Sequence, residues 1–126
     1  MSTIIAIPSA MPGGLDAQMG MHFGHCDIYT LVEVENDAVK SVSTLENVPH
    51  QQGGCMAPVQ HLASHNVNVL LAGGMGMRPL MGFQQVGIKV FFAGNQLTVG
   101  SAVQAFLNGQ LQPFSMEFTC GGGHAH

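Results

Sequence analysis

The chain has 126 residues, enough for one domain with a substantial core and too few for two. Only 8% of them are charged and 46% are hydrophobic, which excludes a disordered or nucleic-acid-coating polymer. Three basic residues (Lys40, Arg78, Lys89) against seven acidic ones cannot build a surface that tracks phosphates, so no nucleic-acid partner is expected.

The opening Thr3 to Ile7 reads as a short strand closed by Pro8. It lacks a basic leader, its apolar run is too short for a signal peptide, and no segment approaches the ~20 apolar residues of a membrane span. A cytoplasmic setting without membrane contact is the expectation. Ser9 to Gly20 is a loop by its Pro, Gly and Asp content. Asp27 to Glu35 has strand composition, Asn36-Asp37 is a turn, and Ala38 to Leu45 makes the return strand of a hairpin. Glu46 to Gly54 is a second polar loop.

Cys55 to His65 places Met56, Val59, Leu62 and Ala63 on one stripe, which is helical spacing. Val67 to Ala72 is an apolar run suited to a buried strand, and it ends in Gly73, Gly74 and Gly76. Arg78 to Val86 is a short helix with Pro79 in its first turn and Gly87 at its end. Lys89 to Ala93 is the next strand. Thr98 can cap a last helix whose Val99, Ala102, Val103, Phe106 and Leu107 form one stripe, closed by Gly109. The order β-β-β-α-β-α-β-α describes an α/β domain over residues 1–112, a mixed sheet flanked by helices. Residues 113–126 form a flexible tail bearing Cys120, His124 and His126.

Seven histidines, nine methionines and three cysteines form a vocabulary for soft metals. An odd cysteine count in such a chain argues for free thiols or metal ligands over a disulfide framework. The strand, glycine turn and helix start around Gly73, Gly74, Met75, Gly76, Met77 and Arg78 offer backbone N–H groups where a helix dipole is positive, an anion seat. Thioethers beside a guanidinium suit a soft, sulfur-rich anion; the alternative is that Met75 and Met77 only fill space. His22, His25 and Cys26, with Met19 and Met21 just upstream, can converge on one metal at a loop-to-strand junction. Cys55, at a helix start, would have its thiol pKa lowered. His61 and His65 are one helical turn apart but point away from the apolar stripe, toward solvent. They are not expected to belong to the site.

Hydrolytic chemistry finds no support. The chain has no Gly-x-Ser-x-Gly elbow and no phosphate-binding Gly-x-x-x-x-Gly-Lys loop. Glu33, Glu35 and Asp37 cluster in the hairpin, and only Asp16 and Asp27 remain as loose candidates for a two-metal nuclease.

Taken in order, several blocks resemble the dinitrogenase iron–molybdenum cofactor biosynthesis family, including its NifX-like and NifB C-terminal-like members. They are the Ile-Ala-Ile-Pro opening, His22-Phe23-Gly24, His50 ahead of Gly53-Gly54, the Val67–Gly76 strand and glycine loop, Gly87 to Val90, and the helix from Val99 to Leu107. The resemblance implies a ribonuclease-H-like fold with a mixed five-stranded sheet and no nuclease activity. It also implies binding or carriage of a metal–sulfur cluster of iron–sulfur, iron–molybdenum or molybdenum–copper type, the last as in the orange-protein branch. A protein that donates or receives the cluster would be the partner. Residues that fit the family's motifs are His22, Phe23, Gly24, Gly53, Gly54, Gly73, Gly74 and Gly76; Cys26, Cys55 and the tail rest on chemistry alone. The rival expectation is a single-ion metallochaperone for copper, nickel or zinc, using Cys120, His124 and His126. An organic-anion or nucleotide sensor using the glycine turn, and then a vestigial nuclease, stand behind it.

Overall fold

In the computed structural model, the apolar run that follows Asn68 is a short strand at the centre of the sheet, with every residue buried. The structure describes residues 2–11, 13–19, 28–46, 56–73, 77–93 and 98–114, and for 56–58 and 77–79 the backbone only. The elements are β1 (Thr3–Ser9), β2 (Ile28–Glu35), β3 (Ala38–Glu46), α1 (Met56–Ser64), β4 (Val69–Ala72), α2 (Met77–Val86), β5 (Lys89–Phe92), α3 (Val99–Leu107) and β6 (Gln112–Pro113).

They make one mixed sheet in the order β3-β2-β1-β4-β5-β6. β1, β4 and β5 are mutually parallel, β2 runs against β1 and β3 against β2, and β6 runs against β5. The first five strands are the sheet expected for a ribonuclease-H-like domain. The sixth was not expected, because two residues, one of them proline, carry no readable period.

Alternation along the strands sorts the core into two layers. Ile5, Ile7, Val32, Val34, Val69 and Leu71 face one way and pack under Val99, Ala102 and Val103 of α3. Ala6, Tyr29, Leu70 and Ala72 face the other way, against Val59 and Leu62 of α1 and Leu80 and Phe83 of α2. Helices on both sides explain why β4 reads as a continuous apolar run rather than an alternating one.

Several local expectations hold. Asn36 and Asp37 both have left-handed backbones (φ 55° and 64°), as a two-residue type I′ hairpin turn requires. Thr98 caps α3: its hydroxyl accepts from Ser101 N at 3.2 Å, while Thr98 N donates to Ser101 Oγ at 3.3 Å. All three helices end in the same paired-bond motif. Ile88 N donates to Phe83 O and Gly87 N to Gln84 O, and the pattern recurs at Asn66-Val67 and Gly109-Gln110. Asn66, Gly87 and Gly109 supply the positive φ that the motif needs.

Other expectations are corrected. Pro8 does not close β1; the strand continues to Ser9, with Pro8 opposite Tyr29. The parallel rungs to β4 involve only Ile5 and Ala6, so proline sits beyond the last of them, where its missing N–H interrupts no rung. β6 spans Gln112–Pro113. Phe114, just beyond, is buried and stacks edge-to-face on Phe92 with centroids 5.9 Å apart. β3 forms the other border of the sheet, largely exposed, with a bulge between Glu33 and Val34 of its neighbour β2.

Candidate functional site

The strand directions bring the sequence's unusual segments to one place. Ser9, ending β1, lies opposite Ile28, which begins β2, and Ile28 lies opposite Glu46, which ends β3. Ala72 and Phe92, ending β4 and β5, are paired beside them. Residues 20–27, 47–55, 74–76 and 94–97 therefore all attach to the carboxyl edge of the sheet. In parallel sheets this is the edge where binding loops gather.

Buried hydroxyls and close backbone packing fix the frame at this edge. Ser9 Oγ donates to Ile7 O at 2.7 Å and lies 2.8 Å from Thr30 Oγ1, and Gly14 N donates to Thr30 Oγ1 at 3.1 Å. Both hydroxyl residues are buried, so these bonds meet the requirement that buried polar groups be paired. Gly13 (φ +81°) lies so close to the sheet that a Cβ would stand 2.6 Å from Ile28 Cδ1 and 2.7 Å from Thr44 Cγ2. Ala10 N donates to Gln18 O, and Met19 bridges to Ser9. What composition marked as a plain loop is thus a shaped lobe seated on β1, β2 and β3.

The same lobe closes the start of α3. Val99 N donates to Ala17 O at 2.9 Å and Gly100 N to Leu15 O at 2.8 Å. With Ser101 N taken by the Thr98 hydroxyl, the first turn of α3 has its donors occupied by the chain itself. α2 begins at Met77, four residues past Gly73, which follows β4.

Of the anticipated site residues, Gly73 follows β4 at this edge, and the backbones of Met77 and Arg78 form the first turn of α2. Met19 is 9% exposed and packs in the layer under α3. Gly74, Met75, Gly76, Met21, His22, Phe23, Gly24, His25, Cys26, Cys55, Cys120, His124 and His126 lie outside the described residues, as do His50, Gly53 and Gly54. Among the described residues no three His, Cys, Asp or Glu side chains gather as a metal site. None of the described helices is long and apolar enough to cross a membrane.

The acidic pair of the hairpin sits away from this edge. Glu33 and Glu35 share a solvated face and flank Lys40 at 4.0 and 3.6 Å. Glu33 is held below the ordinary carboxylate range by hydrogen bonds from Ser2 and Ser41 and by the Lys40 charge. The sequence reading missed one contact at the carboxyl edge: His61 Nε2 lies 2.9 Å from Glu46 O, tying α1 to the end of β3 across residues 47–55. A histidine facing away from an apolar stripe was the available signal, but its partner is a backbone carbonyl that no side-chain pattern reveals.

With this geometry in place, comparison with known proteins is decisive. A family model described as "Dinitrogenase iron-molybdenum cofactor" matches residues 1–109. The chain belongs to that family. Its description ties the domain to iron–molybdenum cofactor biosynthesis or binding. The chain is 30% identical over 101 residues to the Methanocaldococcus jannaschii protein MJ0580, covering 77% of this chain and 83% of the relative. The apo form of the orange protein from Desulfovibrio gigas superposes with a TM-score of 0.75 at 29% identity, covering 90% of this chain and 97% of that one. TM1290 from Thermotoga gives 0.72 at 26% identity, covering 88% and 92%.

Proposed function

We propose that this family member is a non-catalytic cytoplasmic carrier or assembly scaffold for a metal–sulfur cluster of iron–molybdenum, iron–sulfur or molybdenum–copper type. The single observation that carries the reading is the shared edge: the segments bearing Met21 to Cys26, His50 to Cys55 and Gly73 to Gly76 adjoin the carboxyl ends of β3 and β4 or the start of β2. A cluster of this kind is bulky, soft and negatively charged. Backbone N–H groups of Gly73 to Gly76, at the start of α2, together with Arg78, would hold its charge. Met21, Met75 and Met77 would meet its sulfides, with His22, His25 and Cys26 approaching from the facing segment and Phe23-Gly24 shaping it. Cys55 belongs to the same edge. Adaptable contacts suit a carrier, which must also release its cargo to an acceptor protein.

The single-ion alternative centred on Cys120, His124 and His126 gains less support. β6 runs antiparallel to β5, so at Phe114 the chain is heading away from the carboxyl edge. Anaerobic reconstitution with tetrathiomolybdate plus Cu(I), and separately with iron and sulfide, tests the two readings. After desalting, retained visible absorption with sulfide and more than one metal per chain supports the carrier. A single colourless ion, lost when the chain is cut after Thr119, refutes it and establishes the metallochaperone.

A further inference from the structure

His61 and His65 stand one turn apart on α1 and take no part in the cluster reading. Each ring places one nitrogen on a backbone carbonyl. Nε2 of His61 meets Glu46 O at 2.9 Å, and Nδ1 of His65 meets His61 O at 2.9 Å with Ser64 Oγ 3.3 Å away. A carbonyl oxygen can only accept, so both of these nitrogens carry hydrogen. In the neutral rings the lone pairs therefore reside on His61 Nδ1 and His65 Nε2. An imidazole whose N–H is held by a carbonyl while its other nitrogen is presented as a lone pair has the outer-shell arrangement of a metal ligand.

The spacing agrees. Histidines at i and i+4 on one helix face are the pair used by helical zinc sites. With metal–nitrogen bonds of about 2.0–2.1 Å, two imidazole centroids sharing one ion would stand roughly 5.3 Å apart at a tetrahedral angle and about 4.6 Å at a right angle. The His61 and His65 centroids are 4.9 Å apart, with the planes at 71°.

We propose that His61 and His65 form a two-histidine chelate for a borderline divalent cation (Zn²⁺, Ni²⁺ or Cu²⁺), using none of the residues assigned to the cluster. Two nitrogen donors favour such ions over Cu(I), which prefers sulfur. No third metal-binding side chain joins them among the described residues, so water completes the coordination and the ion exchanges readily. A metal on His61 Nδ1 would also make Nε2–H a stronger donor to Glu46 O, tightening α1 against the end of β3.

The test is Zn²⁺ titration of the full chain, followed by ring ¹H–¹⁵N correlation spectra. Before metal, His61 should show the Nε2–H tautomer and His65 the Nδ1–H tautomer. Zinc should shift His61 Nδ1 and His65 Nε2 together, with one shared affinity. His65→Ala should weaken binding at His61 at least tenfold, and His61→Gln, which keeps a donor for Glu46 O, should do the same at His65. Both effects should persist with Cys120→Ser, His124→Ala and His126→Ala in place. Rings unmoved by excess zinc, rings that titrate independently, or shifts that vanish with the tail substitutions would overturn the chelate.

Discussion

The two edges of the sheet are built differently. At the amino edge the links are short, covering residues 36–37, 65–68 and 87–88, and each is closed by its own backbone. Left-handed residues at Asn36, Asp37, Asn66 and Gly87 complete turns and absorb the last carbonyls of α1 and α2. At the carboxyl edge the links cover 10–27, 47–55, 73–76 and 93–98 and carry nine of the nineteen histidines, cysteines and methionines, against one (His65) at the amino edge. One edge terminates elements economically; the other presents chemistry on a rigid frame, the division of labour that lets binding segments vary without unfolding the sheet.

The largest expected effect tests that division directly. Replacing Met75, Met77 and Arg78 together with alanine should lower the cluster retained after reconstitution by at least about tenfold, roughly 1.4 kcal/mol of binding. The apo-protein's thermal midpoint should hardly move. A midpoint that falls with the retained colour would mean that these residues belong to the frame.

Next comes the lobe that joins the frame to the loops. Gly13→Ala must adopt φ +81° and push aside Ile28 and Thr44, so a loss of about 1–3 kcal/mol is expected in chemical denaturation. Gly14→Ala faces a similar backbone cost (φ +96°) with open space around its Cβ, and should lose less. Equal losses would show that the close approach at Gly13 is unimportant.

Helix ends should respond more modestly and alike at both edges. Thr98→Ala removes the α3 cap and should cost about 1 kcal/mol. Gly87→Ala, at φ +83°, should cost about 1–2 kcal/mol while leaving cluster retention unchanged.

The smallest effect is at the hairpin. Glu33 is held low, so its contribution to stability is present at neutral pH and is lost as pH falls through its depressed pKa. Ser41→Ala removes one of the bonds responsible, 3.2 Å long, and should raise the Glu33 pKa toward the usual carboxylate range in an NMR titration. An unchanged value would assign the depression to Ser2 and Lys40.

Much of this frame was legible in the sequence because its signals are local. The unbroken apolar run of β4 implied two covered faces, Asn36-Asp37 implied the turn, and Thr98 ahead of an i, i+3, i+4 stripe implied α3. The Gly13 lobe was not legible: a glycine pressed against Ile28 and Thr44 stands 15 and 31 positions before them in the chain, and composition registers only a loop. Nor was β6, two exposed residues held at the border by the packing of buried Phe114 on Phe92. For the candidate site, chemistry and order in sequence named the segments, and strand direction shows that those between β1 and α3 share an edge. Met19 illustrates the limit of residue type alone: the thioether that suits a sulfide surface also suits the layer under α3, where it packs.

The bulge between Glu33 and Val34 has a consequence for crowded solutions. β3 is a long border strand with unpaired backbone groups, the kind of template on which proteins stack into aggregates. The bulge offsets the strand register where Lys40 sits between Glu33 and Glu35, so an incoming strand would have to match an irregular spacing and strip water from three charges. A chain so guarded resists pairing with copies of itself along this border.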